Sequence, residues 1–170
     1  MNDMWQILVQ KFEKHPAQQK VLRILFERGF QVNDDGKVVS GSIEIAHTQL
    51  AREAGVDRRV VDATTVTILS DELLRNIFQN VRSIPFLRDV APQLDLGVLI
   101  ITPDDAANVG ILADVSRVVS ENGLSIRQAV SDDPYFTDEA RLTIITDSKV
   151  PGEIVDKILG IKSVKGVSIY

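Results

Sequence analysis

The chain has 170 residues, 44% hydrophobic and 25% charged, the composition of an ordinary globular protein with room for two small domains. It holds no cysteine and only two histidines, which excludes disulfides, thiolate metal sites and cysteine nucleophiles and leaves imidazole chemistry thinly supplied. The net charge is −5 and neither half is basic: residues 1–96 carry 12 Lys and Arg against 13 Asp and Glu, and residues 97–170 carry 7 against 11, so a nucleic acid would have to be held by a local patch.

No apolar run approaches the roughly 18 residues that a membrane span requires. Met1-Asn-Asp-Met-Trp5 has an acid and no basic segment, so no secretory signal is expected and a cytoplasmic location follows. Met4, Trp5, Leu8 and Phe12 fall at helical spacing and predict a short amphipathic helix that stops before Pro16. Trp5 and Phe12 are read as core residues or as dimer anchors. A second helix is expected over Ala17–Arg28, with Val21, Leu22, Leu25 and Phe26 inward and Gly29 as its C-cap. Asp35-Gly36, between the β-prone flanks Phe30–Asn33 and Lys37–Val39, signals a hairpin turn, and Ile43-Glu44-Ile45 extends the β region.

The pattern then turns helical. His47–Ala54 is one short helix, Gly55-Val56 a tight turn, and Asp57 the N-cap of a helix running to about Leu69. This stretch resembles a helix-turn-helix motif. Ala51 is the small residue where the helices cross, Gly55 tolerates positive φ, and Leu50, Val56 and Val61 are the apolar plugs. Two departures stand out: Thr64 occupies a place usually held by a bulky aliphatic, and the hairpin precedes the motif instead of following it. If the motif binds DNA, Arg58 and Arg59 face the major groove while Thr48 and Gln49 position a phosphate. The competing expectation is plain scaffolding, with Arg58 paired to Asp62 four residues on. A further helix carries Leu73, Leu74, Ile77 and Phe78; Ser83-Ile84-Pro85 breaks it, and Phe86–Val90 opens a linker helix.

From Gly97 the order is strand, helix, strand, strand, helix, strand. The first strand, Gly97–Thr102, is unbroken and apolar, as expected of a central strand. Asn108–Leu112 is a glycine turn entering a helix whose apolar face is Ile111, Leu112, Val115, Val118 and Val119, closed by Asn122-Gly123. Ser125–Val130 is the second strand, Ser131–Asp138 a long acidic loop and Ala140–Ile145 the third strand. A helix with Ile154, Val155, Ile158 and Leu159 inward follows Pro151, and Val164–Tyr170 is the last strand. Gly110 lets the backbone approach a ligand, and the free N–H groups of the helix start suit an α-carboxylate.

This order resembles the ACT domain, a small ferredoxin-like ligand sensor of amino-acid metabolism. Its loop motif, often Pro-Gly-x-Leu, reads here Val109-Gly110-Ile111-Leu112, with valine in the proline position. Ala107 stands where an acid or amide often precedes the glycine, and Asn108 sits one residue later. The resemblance implies an amino-acid site at a subunit interface, made by Asn108, Val109, Gly110, Ile111 and Leu112 together with Ile126, Arg127 and Gln128 of a second copy. Segments such as Gly55–Val60, Phe86–Val90 and Ser125–Ala129 also resemble a prokaryotic, largely archaeal family of predicted regulators of amino-acid metabolism. A related division of labour occurs in leucine-responsive regulators.

The expected architecture is therefore α+β. A mainly helical, helix-turn-helix-like domain with a β-hairpin occupies residues 1–83 and a linker helix 84–96. A ferredoxin-like βαββαβ ACT ligand-sensing domain with a four-stranded antiparallel sheet occupies 97–170. The expected function is an amino-acid-responsive transcriptional regulator acting allosterically, its partners a small effector, DNA and further copies of itself, a dimer or higher. The alternative is a regulatory subunit that docks on a metabolic enzyme. No cofactor or metal is expected. No nucleophile–base pair stands out, and the carboxylate pairs Asp104-Asp105 and Asp132-Asp133 read as solvated turns, so enzymatic activity is not expected.

Overall fold

The computed structural model describes residues 4–134 and 136–170. Met1–Asp3, the side chain of Met4, and Tyr135 of the acidic loop lie outside the described residues. The chain divides into two compact units, one ending at Ile84 and the other running Pro85–Tyr170.

The first unit holds α1 (Met4–Gln10), α2 (Pro16–Arg28), α3 (His47–Ala54), α4 (Arg58–Ser70) and α5 (Glu72–Asn80). Its core is apolar where the periodicity places it: Leu8, Phe12, Leu22, Leu25, Ile68 and Phe78 are fully buried. Phe12 is thus a core residue, while Trp5 is half-buried, its ring 5.8 Å from that of Phe26. Between α2 and α3 runs a small antiparallel sheet of three strands, β1 (Gln31–Val32), β2 (Val38–Ser40) and β3 (Ile43–Ile45), in that order. The turn at Asp35-Gly36 is wider than a two-residue hairpin. Asn33 Oδ1 accepts the N–H groups of Asp35 and Lys37 at 3.1 and 2.9 Å, so an Asx turn closes Asn33–Lys37. Gly41-Ser42 makes the two-residue turn, with Ser40 opposite Ile43.

The second unit holds β4 (Gly97–Pro103), α6 (Ile111–Glu121), β5 (Ile126–Ser131), β6 (Leu142–Thr146), α7 (Glu153–Leu159) and β7 (Val164–Ile169). All sheet neighbours are antiparallel, in the order β5-β6-β4-β7, which is the ferredoxin-like arrangement. The unbroken apolar runs β4 and β6 take the centre, because only there are both faces covered. Leu99, Ile101, Leu142 and Ile144 point to the side of α6 and α7, packing with Val115, Val119, Ile154 and Ile158. Val98, Ile100 and Ile145 alternate to the opposite face.

That opposite face is covered by the segment expected as a linker helix. Residues 84–96 contain no α-helix. Pro85 lacks an N–H and disfavours the helical conformation at Ile84, and Ala91–Leu94 forms only a 3-10 turn. Leu87, Ala91 and Leu96 instead pack on Val98, Ile100 and Ile145, so the segment is a strap belonging to the second unit.

Candidate functional site

Two places carry the residues singled out by sequence. The first is the loop between β4 and α6. Asp105 Oδ1 accepts the Ala107 N–H at 2.9 Å, and the Asn108 N–H donates to the Asp105 carbonyl at 3.1 Å, which turns the chain back toward the helix. Gly110 sits at φ +94° as N-cap of α6, a conformation that L side chains rarely adopt. No side chain caps the helix start. The carboxylate of Asp114 lies in that first turn, 3.6 Å from Arg117. The helix dipole and the uncapped N–H groups favour an arriving anion, and Asp114, its charge offset in part by Arg117, opposes it.

Asn108, Gly110, Ile111 and Leu112 line a cleft of about 230 Å³, whose far wall is Pro103, Ala106, Ser131 and Leu142. Val109 is fully exposed and does not line it. Ile126, Arg127 and Gln128 are not brought to this cleft within one chain. Ser131 pairs with Leu142, at the end of the sheet where β4 delivers the loop, whereas Ile126 pairs with Thr146 beside Gly97 at the other end. Ile126 and Arg127 are exposed there, at an irregularity in the β5–β6 register. The Gln128 amide is already occupied: its Oε1 accepts the Leu87 N–H at 3.0 Å and its Nε2 donates to the Pro85 carbonyl at 2.9 Å. This side chain fastens the strap onto β5.

Sequence reasoning missed Ser131 and Arg141. Arg141 borders the cleft, but it directly precedes Leu142, whose side chain enters the helix-side core. Alternation turns Arg141 to the opposite face, where its guanidinium meets Glu139 at 2.8 Å.

The second place is the α3–α4 pair. Gly55, at φ +63°, ends α3, and its N–H and that of Val56 close on Arg52 and Ala51 carbonyls. Asp57 caps α4 by accepting the Arg59 N–H at 2.8 Å. Ala51, Leu50 and Val61 are buried at the crossing. Thr64, in the place of an aliphatic, is fully buried, and its hydroxyl donates to the Val60 carbonyl at 2.7 Å, so no polar group is stranded.

Thr48, Gln49, Arg58 and Arg59 are all exposed. Arg58 lies 3.6 Å from Asp62, the pairing that its spacing anticipates. Asp62 also holds His47, through Nδ1 at 2.6 Å, a contact that sequence spacing alone could not reveal. The Nε2 of this largely buried ring has no hydrogen-bond partner among the described residues. Thr48, Arg58, Asp62 and His47 share a groove of about 480 Å³ with Lys37 and Glu44. Glu44, bonded to Lys37 at 2.8 Å, holds that ammonium above its usual pKa. Among the described residues no three His, Asp or Glu side chains are grouped to hold a metal ion, and no helix is long and apolar enough to cross a membrane.

No protein-family profile matches the chain, and no curated protein does. Among solved structures, an AsnC family transcriptional regulator from Agrobacterium tumefaciens aligns with 91% of this chain and 86% of its own, at 17% identity and a TM-score of 0.28. A transcriptional regulatory protein from Pyrococcus furiosus, a member of the AsnC family, aligns with 90% of this chain and 85% of its own, at 13% identity and a TM-score of 0.27. At such identities and scores the likeness says nothing of what this chain binds.

Proposed function

We propose that the chain is an amino-acid-responsive regulator that engages DNA through α3–α4 and a small effector at the loop between β4 and α6. The observation that carries this reading is the α3–turn–α4 geometry, with Thr48, Gln49, Arg58 and Arg59 exposed, Arg58 beside Asp62, while the plugs Leu50 and Val61 are buried. The effector is an amino acid, its carboxylate at the uncapped start of α6 and its side chain among Ala106, Ile111, Leu112 and Leu142. Asn108, Val109 and Gly110 set the loop. A second copy offers Ile126 and Arg127 from an exposed strand start, and Gln128 leaves the set because its amide is committed to the strap.

Self-association is supported by the positions of β5 and β7 at the two edges of the sheet, each with one strand neighbour among the described residues, since sheet edges invite pairing. Effector binding shifts DNA affinity only through a difference in its affinity for two arrangements of the assembly. The location is cytoplasmic and the chain performs no catalysis of its own.

Thermal shift across the twenty amino acids at millimolar concentration tests the sensor. An effector at 100 times its dissociation constant stabilises by about 2.7 kcal/mol. One or two hits identify the effector class, and a flat panel removes the sensor. A second reading is favoured by one observation: Val66 is 64% exposed on α4, an apolar group among the polar contacts expected of a DNA face. In that reading the first unit docks on a protein, and binding of duplex DNA that is absent at low salt would select it.

A further inference from the structure

The charges on α4 are arranged asymmetrically. Arg58 and Arg59 are adjacent and both exposed, and the Arg58 guanidinium is paired with a carboxylate, Asp62 at 3.6 Å, whereas the carboxylate next to Arg59, Asp57, takes its backbone N–H. Arg59 has no ion-pair partner among the described residues. Asp62 is not a free surface acid that could swing aside. Its other oxygen is 2.6 Å from Nδ1 of His47, a ring whose side chain is only 17% exposed at the first turn of α3. The carboxylate is thus anchored between the two helices, and its charge stays on the face that presents Arg58.

We infer that Asp62 is a built-in restraint on DNA affinity: it withholds Arg58 from phosphate, so that Arg59 is the arginine of α4 that works. The inference rests on the reading of α3–α4 as a DNA-binding face. For Arg58 to reach a phosphate it must leave Asp62, and the carboxylate, still bonded to His47, then faces the incoming strand with like charge. Arg59 meets no such opposition from a bonded partner. The same restraint lowers binding to duplex of any sequence, since phosphate contacts carry no sequence information.

The test uses the full chain and a fluorescently labelled random-sequence duplex, with affinity followed from 50 to 200 mM salt. Asp62→Asn keeps an acceptor for His47 and removes the charge. It is expected to bind more tightly, with a log–log salt slope steeper by about 0.9, one additional phosphate contact. Over that salt range the slope change amounts to an extra loss of about three- to fourfold in affinity. Arg58→Met costs the parent less affinity than Arg59→Met does, and it cancels the gain in the Asp62→Asn background. Arg59→Met weakens the parent and flattens its slope by about 0.9.

A general loosening of the fold would not steepen a salt slope, so the slope separates charge release from structural damage. Both arginines are exposed, so the comparison of their single variants stands even if Asp62→Asn melts early. Equal losses from Arg58→Met and Arg59→Met, or an Asp62→Asn protein that binds no more tightly, overturn the inference while leaving the DNA reading intact. Failure of both the parent and Asp62→Asn to bind overturns the DNA reading itself.

Discussion

Asp71 joins two parts of the first unit through one carboxylate. Its side chain caps α5 by accepting the Leu74 N–H at 3.1 Å, and it accepts from Lys11 Nζ at 2.6 Å, from a residue sixty positions earlier. The Lys11 hydrogen bond, followed by the backbone bond from Leu74, holds its pKa below the usual carboxylate value. A depressed folded pKa contributes stability that is present above the ordinary Asp range and is lost as pH falls through the lower, folded value. Asp71→Ala is therefore expected to destabilise by about 1 kcal/mol at neutral pH, the usual worth of a cap. In urea titrations the gap between parent and variant narrows as pH drops below the ordinary Asp range, and a gap that widens there would contradict the assignment. Gly110 makes a different demand. A Cβ there would meet nothing nearer than Asp114 Oδ2 at 4.0 Å, so the constraint lies in φ +94° and not in space. Gly110→Val is expected to cost about 1–3 kcal/mol, and Gly110→Asn less, because asparagine tolerates positive φ better than a β-branched residue. Thermal melts of the two variants check the order. The spacing of Asn108–Leu112 made this glycine visible in the sequence, but the hydrogen bonds that commit Gln128 were not, because they join positions more than forty residues apart.

The elements that could be read from the sequence are those with one dominant local signal. Gly55 with Asp57 fixed the turn between α3 and α4, and the runs Val98–Ile101 and Leu142–Ile145 marked the two central strands. The strap was misread because its apolar residues answer to a distant surface and not to a helical period. Phe86, Val90 and Leu94 fall four apart and imitate a helix, yet all three are exposed, while Leu87, Ala91 and Leu96 do the packing. The hairpin was read correctly in kind, but the side chain of Asn33 widened its turn. The strap also explains why Gln128 is half-buried on a strand that is otherwise mostly exposed. Gln128→Met keeps the side chain's length and removes both bonds to the strap. Its expected cost is about 1–3 kcal/mol, with faster amide exchange at Leu87, whose N–H loses its acceptor. Exchange along α6 should not change. Acceleration spread evenly over both elements would mean that the strap is not fastened at this point.

On the scale of the whole molecule, each unit has its own buried core. Leu8, Phe12, Leu22, Leu25 and Phe78 form one, and Leu99, Ile101, Ile144, Ile154 and Ile158 another, with the strap and the outer face of β4 and β6 as a third cluster inside the second unit. A large-to-small change in either core should remove burial and leave a cavity only in its own unit. Phe78→Ala, from a side chain with no exposed surface, is expected to cost the first unit about 3–5 kcal/mol. Ile144→Ala, equally buried beneath α6 and α7, is expected to cost the second about 2–5 kcal/mol. Differential scanning calorimetry of the full chain reads the consequence. If the cores melt separately, Phe78→Ala lowers one transition and Ile144→Ala the other, each leaving its counterpart in place. An effector bound at the β4–α6 loop would then raise only the transition that Ile144→Ala lowers. If either substitution lowers a single common transition, the two cores form one cooperative system, and an effector on the second unit would stabilise α3–α4 directly.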